Sequence, residues 1–303
     1  MPTVLLAGGS GLIGSRLGQL LREGGHEVLL LSRRPRPGGP FPAFQWDPVK
    51  QTIDDEAVRR ADYVINLAGA SIAGKPWTSG RKQLIIDSRV DSARLLLSAF
   101  ERLAHRPAAY ISSSAIGYYG DRGEDWVDES SPPGKGFLPE SCIAWEKAIG
   151  AVARAGIRTV AIRIGIVLSA RGGAMAKMLM PFRFGGGAYF GDGSQWYSWI
   201  HIDDLCRLFI KAMEDGSMKG AYNGAAPYPV TNKELAEALK KALGKAALLV
   251  PAPALFLRLA MGEMADVVLH STRVSSEKIE AAGFEFLFPT LEAALPDLLE
   301  REV

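Results

Sequence analysis

The sequence of 303 residues predicts an α/β protein with a doubly wound parallel sheet and a smaller C-terminal α/β lobe. Hydrophobic residues make up 48% of the chain, which is enough to bury a large core. Short apolar runs alternate with helical segments through the first half, a pattern typical of parallel strands connected by helices. After residue 170 this alternation weakens, which places the smaller lobe in the second half.

The first half supplies the predicted sheet with strands and helices in a regular order. The predicted strands are Thr3–Ala7, Glu27–Leu31, Tyr63–Leu67, Ala108–Ser114 and a strand within Arg158–Leu168. The predicted helices, in which apolar residues recur at helical spacing, are Leu12–Glu23, Arg81–Leu103 and Phe137–Arg154. Pro35–Pro48 is rich in proline and glycine, and we expect it to be a surface excursion with little regular structure.

The second half contains fewer and less regular elements. Gly172–Gly193 is rich in glycine and methionine and is expected to form part of a lid or substrate lobe. Asp203–Glu214 and Thr231–Leu243 are predicted helices, the second of which begins with a capping-box pattern. Pro251–Met261 is predicted to be a short helix begun by proline. We therefore expect a nucleotide-binding domain over residues 1–170, to which residues 199–224 return, and a lobe over residues 171–303 that includes an extension at 250–298.

Composition and charge narrow the range of partners. The formal net charge is +2, which argues against non-specific binding of nucleic acid. Cys142 and Cys206, the two cysteines of the chain, are far apart and do not make a disulfide framework, so a reducing, cytoplasmic setting is expected. No apolar run approaches the roughly 18 residues that span a bilayer, and the N-terminus lacks the form of a signal peptide. Neither a membrane nor a metal ion is therefore expected as a partner.

A glycine-rich loop follows the first predicted strand and opens the first predicted helix. In such a loop the first glycine permits a tight turn, the second lets the backbone approach a diphosphate, and the third lets the helix pack closely on the sheet. The helix N-terminus offers N–H groups and partial positive charge to phosphates. The loop therefore predicts a Rossmann-type dinucleotide site formed by Gly8, Ser10, Gly11, Leu12, Ile13 and Gly14.

The end of the second predicted strand bears on the choice between NAD(H) and NADP(H). NAD enzymes usually place an Asp or Glu there, which binds the ribose 2′-hydroxyl. This chain has Ser32, Arg33 and Arg34 instead, and a guanidinium binds a 2′-phosphate that a carboxylate would repel. Arg34 also fits a solvated loop charge, whereas Arg33 directly follows the strand. We therefore expect NADP(H) as the cofactor, bound in part by Ser32 and Arg33.

Four further motifs follow the glycine loop in order: Asn66-Leu67-Ala68-Gly69, Ser112-Ser113-Ser114-Ala115, Gly191-Asp192-Gly193-Ser194-Gln195 and His201-Ile202-Asp203-Asp204. Together with Ala7–Gly14, this set resembles the extended short-chain dehydrogenases/reductases, the superfamily of nucleotide-sugar epimerases. Pro251–Ala265 resembles the C-terminal extension of one subgroup, the epimerase-like atypical reductases. The resemblance covers essentially the whole chain.

The resemblance implies where several side chains lie. Residues at the ends of the third and fourth strands and of the next strand would line the cofactor, namely Leu67, Ala68, Gly69, Ser112 and Ile166. Arg89 would point into the cofactor cleft, and Ser114 falls at the position of the active-site serine. The turn after Arg163 would approach the nicotinamide carboxamide. For Arg89 and Arg163, a salt bridge at the sheet edge is an equally good interpretation.

The chain departs from this family at the proton-transfer pair. Ordinary members carry Tyr-x-x-x-Lys on the helix after the fourth strand, but here Cys142 occupies the tyrosine position and Glu146 the lysine position. An early helical position favours a thiolate at Cys142, although we prefer a small buried hydrophobe. Glu146 could bind a ribose hydroxyl, act as a base, or be a surface glutamate. Tyr118 or Tyr119, just after the serine strand, could supply a phenolic proton instead.

A second departure concerns the substrate. Nucleotide-sugar enzymes of this superfamily usually have an arginine after Gly-Asp-Gly that binds the substrate diphosphate, whereas this chain has Trp196-Tyr197-Ser198-Trp199. Such a cluster suits an aromatic or apolar molecule, as do Phe184 and Tyr189, although Phe182 and Trp199 also fit simple packing of the lobe. His201 matches a family histidine that is usually structural, so we do not assign it as a base.

These observations favour an NADP(H)-dependent oxidoreductase that acts on an unknown small molecule. A catalytically degenerate protein that binds or senses NADP(H) is the alternative, motivated by the missing tyrosine and lysine. A nucleotide-sugar epimerase ranks third. The superfamily often dimerises through the helices predicted at Arg81–Leu103 and Phe137–Arg154, whose outward faces here do not decide whether a homodimer forms.

Overall fold

The computed structural model describes residues 1–36, 38–244 and 246–301. Its strands are β1 (Thr3–Ala7), β2 (Glu27–Ser32), β3 (Ala43–Asp47), β4 (Thr52–Ile53), β5 (Tyr63–Asn66), β6 (Ala109–Ala115), β7 (Trp126–Val127), β8 (Thr159–Ile164), β9 (Ile166–Leu168), β10 (Gly186–Phe190), β11 (Trp196–Tyr197), β12 (Trp199–His201), β13 (Gly220–Gly224), β14 (Val230–Thr231), β15 (Leu248–Ala252) and β16 (Arg273–Val274). Its α-helices are α1 (Leu12–Glu23), α2 (Asp55–Arg59), α3 (Ser79–Arg102), α4 (Phe137–Arg154), α5 (Gly173–Leu179), α6 (Ile202–Glu214), α7 (Asn232–Ala242), α8 (Ala254–Met261), α9 (Asp266–Leu269), α10 (Glu277–Ala281) and α11 (Leu291–Glu300).

Eight of the described strands form the central sheet, in the order β13-β8-β6-β5-β1-β2-β3-β4. Neighbours pair in parallel except for β4, which runs antiparallel to β3. The chain moves outward from β1 through β2 on one side and through β5 on the other. The strand order therefore reverses between β1 and β5, and the carboxyl ends of these strands form the crevice in which such folds bind ligands.

Alternating side chains of β1 divide the core between the two faces of the sheet. Val4 and Leu6 pack into the cluster that contains Leu17 of α1 and Leu205 of α6. Leu5 points to the other face, where it joins the cluster formed with α3 and α4. Because both faces are covered, β1 is completely buried, as its uninterrupted apolar sequence requires.

The predicted elements of the first half are present to within about two residues at each end, and α4 has the predicted bounds. The expectation for Pro35–Pro48 was wrong, because this segment includes β3. Leu30 of β2 pairs with Ala43, and Trp46 is buried against the sheet. The open edge of β2 and the burial of an indole ring therefore outweigh the local proline and glycine content.

The prediction for Pro251–Met261 was wrong at its beginning. Pro251 lies in β15, where it pairs with Tyr189 of β10, and the helix starts only after Pro253. The two-stranded sheet tolerates a proline because an edge strand need not donate every backbone N–H. The capping box at α7 is confirmed, since Thr231 and Glu234 each accept a hydrogen bond from the other's backbone N–H.

No helix within the described residues combines the length and apolar character needed to cross a membrane.

Candidate functional site

The glycine loop is packed so tightly that two of its glycines exclude a side chain. Gly8 has a φ of +80°, and a Cβ atom there would lie 2.8 Å from the backbone of Leu67. A Cβ at Gly14 would lie 2.5 Å from the Gly8 carbonyl oxygen. Gly11 precedes α1 without a side-chain cap, so the first N–H groups of the helix, at Leu12 and Ile13, receive no capping hydrogen bond from a side chain and could bind an anion. Ser10 is exposed beside them.

The end of β2 presents an exposed guanidinium. The hydroxyl of Ser32 accepts a hydrogen bond from the backbone of Arg34 at 3.1 Å, and the carbonyl of Arg33 accepts one from the side-chain amide of Gln45 at 2.9 Å. Both contacts hold the backbone and leave the Arg33 side chain in solvent. The first acidic residue after β2 is Asp47, at the far end of β3.

The turn after β5 is held by a buried asparagine that was not singled out as a functional residue from the sequence. Asn66 donates to the hydroxyls of Ser92 at 3.0 Å and Tyr110 at 2.9 Å, and it accepts from the backbone of Ala68 at 3.1 Å. These bonds fix Leu67, Ala68 and Gly69 at the edge of the crevice. A polar residue at the end of an apolar strand was the available signal.

Arg89 lies against this turn rather than in a salt bridge. Its guanidinium donates to the carbonyls of Ala70 at 3.0 Å and Ile85 at 2.8 Å, and it lies 4.9 Å from the ring centre of Trp145. Burial lowers the pKa of Arg89 from its ordinary value. A Cβ added to Gly69 would lie 3.2 Å from the guanidinium carbon, so the Arg89 side chain packs directly against the backbone of this turn.

The remaining two predicted cofactor residues are held by backbone contacts. Ser112 is buried, and its hydroxyl donates to the carbonyl of Ser113 at 3.1 Å. Ile166 is half-buried, and its N–H donates to the carbonyl of Ser198 at 2.8 Å.

Ser114, Glu146 and Arg163 form one polar cluster, in which Ser114 and Arg163 are buried and Glu146 is half-buried. The Ser114 hydroxyl donates to Glu146 Oε1 at 2.7 Å. Arg163 binds both oxygens of the same carboxylate, with Nε and Nη2 each at 2.8 Å. Burial alone would lower the pKa of Arg163, but the hydrogen bonds and charge of Glu146 raise it above its ordinary value. Glu146 is thus neither a surface residue nor a free base, and the Arg163 ion pair lies inside the fold rather than at a sheet edge.

This cluster also changes the expectation for Ser114. The side chain is 2% exposed, and its proton is directed to a carboxylate. To donate a hydrogen bond to a substrate carbonyl, the Ser114 hydroxyl would first have to break its hydrogen bond to Glu146.

Tyr118 and Tyr119 differ sharply in their surroundings. Tyr119 is fully buried, donates to Asn223 Oδ1 at 2.7 Å and accepts from Arg163 at 3.0 Å. Burial raises the pKa of Tyr119 to about 12, and both contacts of its hydroxyl are made inside the fold. Tyr118 is only half-buried, and the guanidinium carbon of Arg163 lies over its ring, 3.6 Å from the ring centre. Tyr118 is therefore the more accessible of the two predicted proton donors.

Cys142 is a small buried side chain, as the preferred interpretation held. Its sulfur lies 3.7 Å from the carbonyl oxygen of Ala115, and the residue is 3% exposed. Burial and the charge of Glu146 raise the pKa of Cys142 to about 12. The early helical position does not produce a thiolate here, so the residue lacks the reactivity that a catalytic cysteine needs.

The aromatic residues after Gly191-Asp192-Gly193 mostly pack the molecule. Tyr197 donates to the carbonyl of Val268 at 2.7 Å, and Trp199 donates to the carbonyl of Tyr228 at 3.0 Å; both are buried. Phe182 is buried as well, whereas Phe184 is 87% exposed. The cluster is therefore weaker support for an aromatic substrate than the sequence indicated.

His201 is structural, as the resemblance implied. Its Nδ1 accepts from the backbone of Asp203 at 3.1 Å and so caps α6, while Nε2 lies 3.1 Å from Asp297. Burial lowers the pKa of His201 from its ordinary value.

A cavity of about 600 Å³ opens beside the glycine loop. Its walls come from the start of α1, the loop after β9 and the end of α11, with Ser10, Gly11, Leu12, Ser15, Arg16, Gln19, Ser169, Ala170, Arg171, Gly172, Ile202, Leu298 and Arg301 lining it. Within the described residues, no group of three or more His, Cys, Asp or Glu side chains is placed to hold a metal ion.

Comparison with known proteins assigns the chain to a family. Residues 4–225 match the profile of the NAD dependent epimerase/dehydratase family. The chain belongs to this family. Residues 252–298 match a domain of unknown function, DUF1731, which coincides with the expected C-terminal extension.

Relatives of this family member match it over nearly its whole length. Epimerase family protein SDR39U1 of Mus musculus is 37% identical, and the alignment covers 98% of this chain and 99% of the mouse protein. Epimerase family protein Mb2239 of Mycobacterium bovis is 36% identical over 96% of each chain. A crystal structure of human epimerase family protein SDR39U1 (isoform 2) with NADPH aligns with a TM-score of 0.87 and 34% identity, covering 98% of this chain and 99% of the human one. The predicted family and doubly wound fold are confirmed.

Proposed function

We propose that this family member binds NADP(H) and acts as an oxidoreductase on a small molecule. The exposed guanidinium of Arg33, at the carboxyl end of β2 where NAD enzymes usually place an Asp or Glu, is the observation that carries the proposal. The human relative whose crystal structure is described with NADPH supports it.

The glycine loop fits a dinucleotide on steric grounds. Side chains are excluded at Gly8 and Gly14, and α1 begins without a side-chain cap, so backbone N–H groups are left for a diphosphate. When bound, the cofactor would supply hydride transfer, and the chain would supply orientation and a proton.

Tyr118 is our candidate for the proton donor. Its ring stacks on Arg163, whose charge is fixed by Glu146, and its hydroxyl is not committed to a partner among the described residues. Ser114 then acts as a positioning residue, because its hydroxyl holds Glu146 in place from the carboxyl end of β6.

Binding of the 2′-phosphate is tested with Arg33→Gln. We expect the Kd for NADPH to rise about tenfold or more, since a charged hydrogen bond is worth about 1.5–3 kcal/mol, while the Kd for NADH stays unchanged. Isothermal titration calorimetry with both nucleotides measures this. Arg94→Gln, which removes an exposed arginine of α3, is the matched control. An NADPH affinity equal to the NADH affinity in the unaltered chain would contradict the choice of cofactor.

Turnover is tested with Tyr118→Phe. NADPH consumption is followed against a library of small carbonyl compounds, and the variant is expected to lose about 10²–10⁴-fold in kcat while binding NADPH normally. Tyr119→Phe serves as the comparison, because its buried hydroxyl should affect stability more than rate.

A binding or sensing protein is the second candidate, and a specific arrangement favours it. Cys142 and the ion-paired Glu146 stand where the family's proton-transfer pair stands. Tight NADPH binding without turnover of any carbonyl compound would favour this candidate over the oxidoreductase. A sensing protein must also differ in conformation or in oligomeric state between its NADP⁺-bound and NADPH-bound forms.

A further inference from the structure

The loop after β9 packs directly onto the first residue of α1. Gly172 and Gly173 have φ values of +151° and +76°, in the region that L side chains rarely adopt. A Cβ at Gly172 would lie 3.8 Å from one methyl group of Leu12, and a Cβ at Gly173 would lie 3.2 Å from the other. The two glycines therefore let this loop pack beside the start of α1, where its residues 169–172 form one wall of the cavity.

Two of the three arginines that line this cavity are neutralised by aspartates. Arg16 binds both carboxylate oxygens of Asp203, at 2.7 and 2.9 Å. Arg301 lies 2.9 Å from Asp203 and 2.9 Å from Asp297. The formal charges of these four side chains cancel, so they contribute little net attraction for an anion.

Arg171 is the third arginine that lines the cavity, and its positive charge is not balanced by an aspartate as those of Arg16 and Arg301 are. It is exposed, and no carboxylate within the described ranges lies within ion-pair distance of its guanidinium. Its backbone N–H donates to the hydroxyl of Ser169 at 3.3 Å, and Ser169 is itself buried, which anchors the loop on which the side chain stands. The cavity thus brings one unpaired cation to the side of the uncapped helix α1.

We infer that Arg171 binds the diphosphate of the dinucleotide, reaching it from the loop after β9. This inference rests on the proposed function, because it assigns a residue to the same cofactor site. The N–H groups at the start of α1 and the guanidinium of Arg171 line one cavity, and a diphosphate there would accept hydrogen bonds from both. Arg33 lies at the end of β2 and serves the 2′-phosphate, so the two arginines have separable roles.

Calorimetric titration with NADPH and NADH distinguishes these roles in the full chain. Arg171→Gln should raise the Kd of both nucleotides by the same factor, about tenfold or more, because both carry the diphosphate. Arg33→Gln should raise the Kd of NADPH alone. Arg94→Gln, an exposed arginine on α3, should leave both values unchanged.

Two outcomes would overturn the inference. One is an Arg171→Gln variant that binds both nucleotides as tightly as the unaltered chain, which would mean that Arg171 is a solvated loop charge. The other is a variant that weakens NADPH but not NADH, which would assign Arg171 to the 2′-phosphate. Failure of the proposed function is a different result, because it is seen in the unaltered chain, which would then bind neither nucleotide or bind NADPH no more tightly than NADH. Because Arg171 is exposed, circular dichroism of the variant should match that of the unaltered chain.

Discussion

Gly14 lies where α1 comes nearest to the loop that precedes it. Helical propensity alone would favour alanine there by about 1 kcal/mol. The Gly8 carbonyl oxygen, 2.5 Å from an added Cβ, opposes this gain because it is held in place by a hydrogen bond from the Gly11 N–H at 3.0 Å. The packing of α1 against the glycine loop therefore requires that residue 14 has no Cβ atom.

We predict that Gly14→Ala destabilises the protein by about 1–3 kcal/mol, the usual cost of overpacking, and weakens binding of NADPH. Gly80→Ala is the matched control, since Gly80 is also helical but has no atom within 4 Å of an added Cβ. It should be neutral or stabilise by up to about 1 kcal/mol. Urea unfolding of both variants measures the difference, and the same sign for both would contradict the steric explanation.

The surroundings of Glu146 show how much of the site could be predicted from the sequence. The four-residue spacing correctly placed Cys142 and Glu146 on one helix, and in the structure Glu146 accepts a hydrogen bond from Ser114. The partner that decides the state of Glu146 is Arg163, which arrives from β8 and was weighed only as a residue near the cofactor or at a sheet edge. Contacts between strands and helices distant in sequence depend on topology, and residue spacing within one helix carries no information about them.

At the scale of elements, local sequence was a good guide wherever one face of an element meets the core. The apolar spacing of α4 predicted both of its ends, and the capping pattern predicted the start of α7. It was a poor guide at β3 and at Pro251, because each pairs with a strand from elsewhere, β2 and β10 respectively. Edge pairing outweighs local propensity in both cases.

The capping box of α7 gives a prediction at this scale. Thr231→Ala removes the acceptor for the Glu234 N–H and should lower the free energy of unfolding by about 1 kcal/mol. Glu234→Gln is the control, because its amide oxygen can still accept from the Thr231 N–H. Chemical denaturation of the two variants measures this, and equal losses would show that charge rather than the Thr231 cap stabilises the helix start.

On the scale of the whole molecule, a chain of ion pairs connects segments from opposite ends of the sequence. Asp203 at the start of α6 binds Arg16 of α1 and Arg301 after α11, and Arg301 in turn binds Asp297. Burial alone would raise the pKa of Asp203, but hydrogen bonds from Arg16 and Arg301 lower it below its ordinary value of 3.8. The folded state therefore binds this proton less readily than the unfolded state.

The sign of this shift predicts how stability changes with pH. The contribution of Asp203 is fully present above pH 3.8 and is lost as the pH falls below that value toward the lower pKa of the folded state. Asp203→Asn should cost about 1–3 kcal/mol at neutral pH, because it leaves Arg16 without its carboxylate and Arg301 with Asp297 alone, and should flatten the acid limb of the stability curve. The exposed Asp125→Asn is the control. Urea midpoints across the acid range check this, and an unchanged acid limb would contradict it.

The placement of Arg301 has a consequence for how the protein is made. The ribosome completes β1, the glycine loop and α1 long before it adds α11, and domains fold as their segments emerge. One wall of the cavity beside the glycine loop, and one of the two arginines that neutralise Asp203, are therefore supplied some 280 residues after α1 has been synthesised. A nascent chain halted before α11 would therefore present the glycine loop without this wall of the cavity.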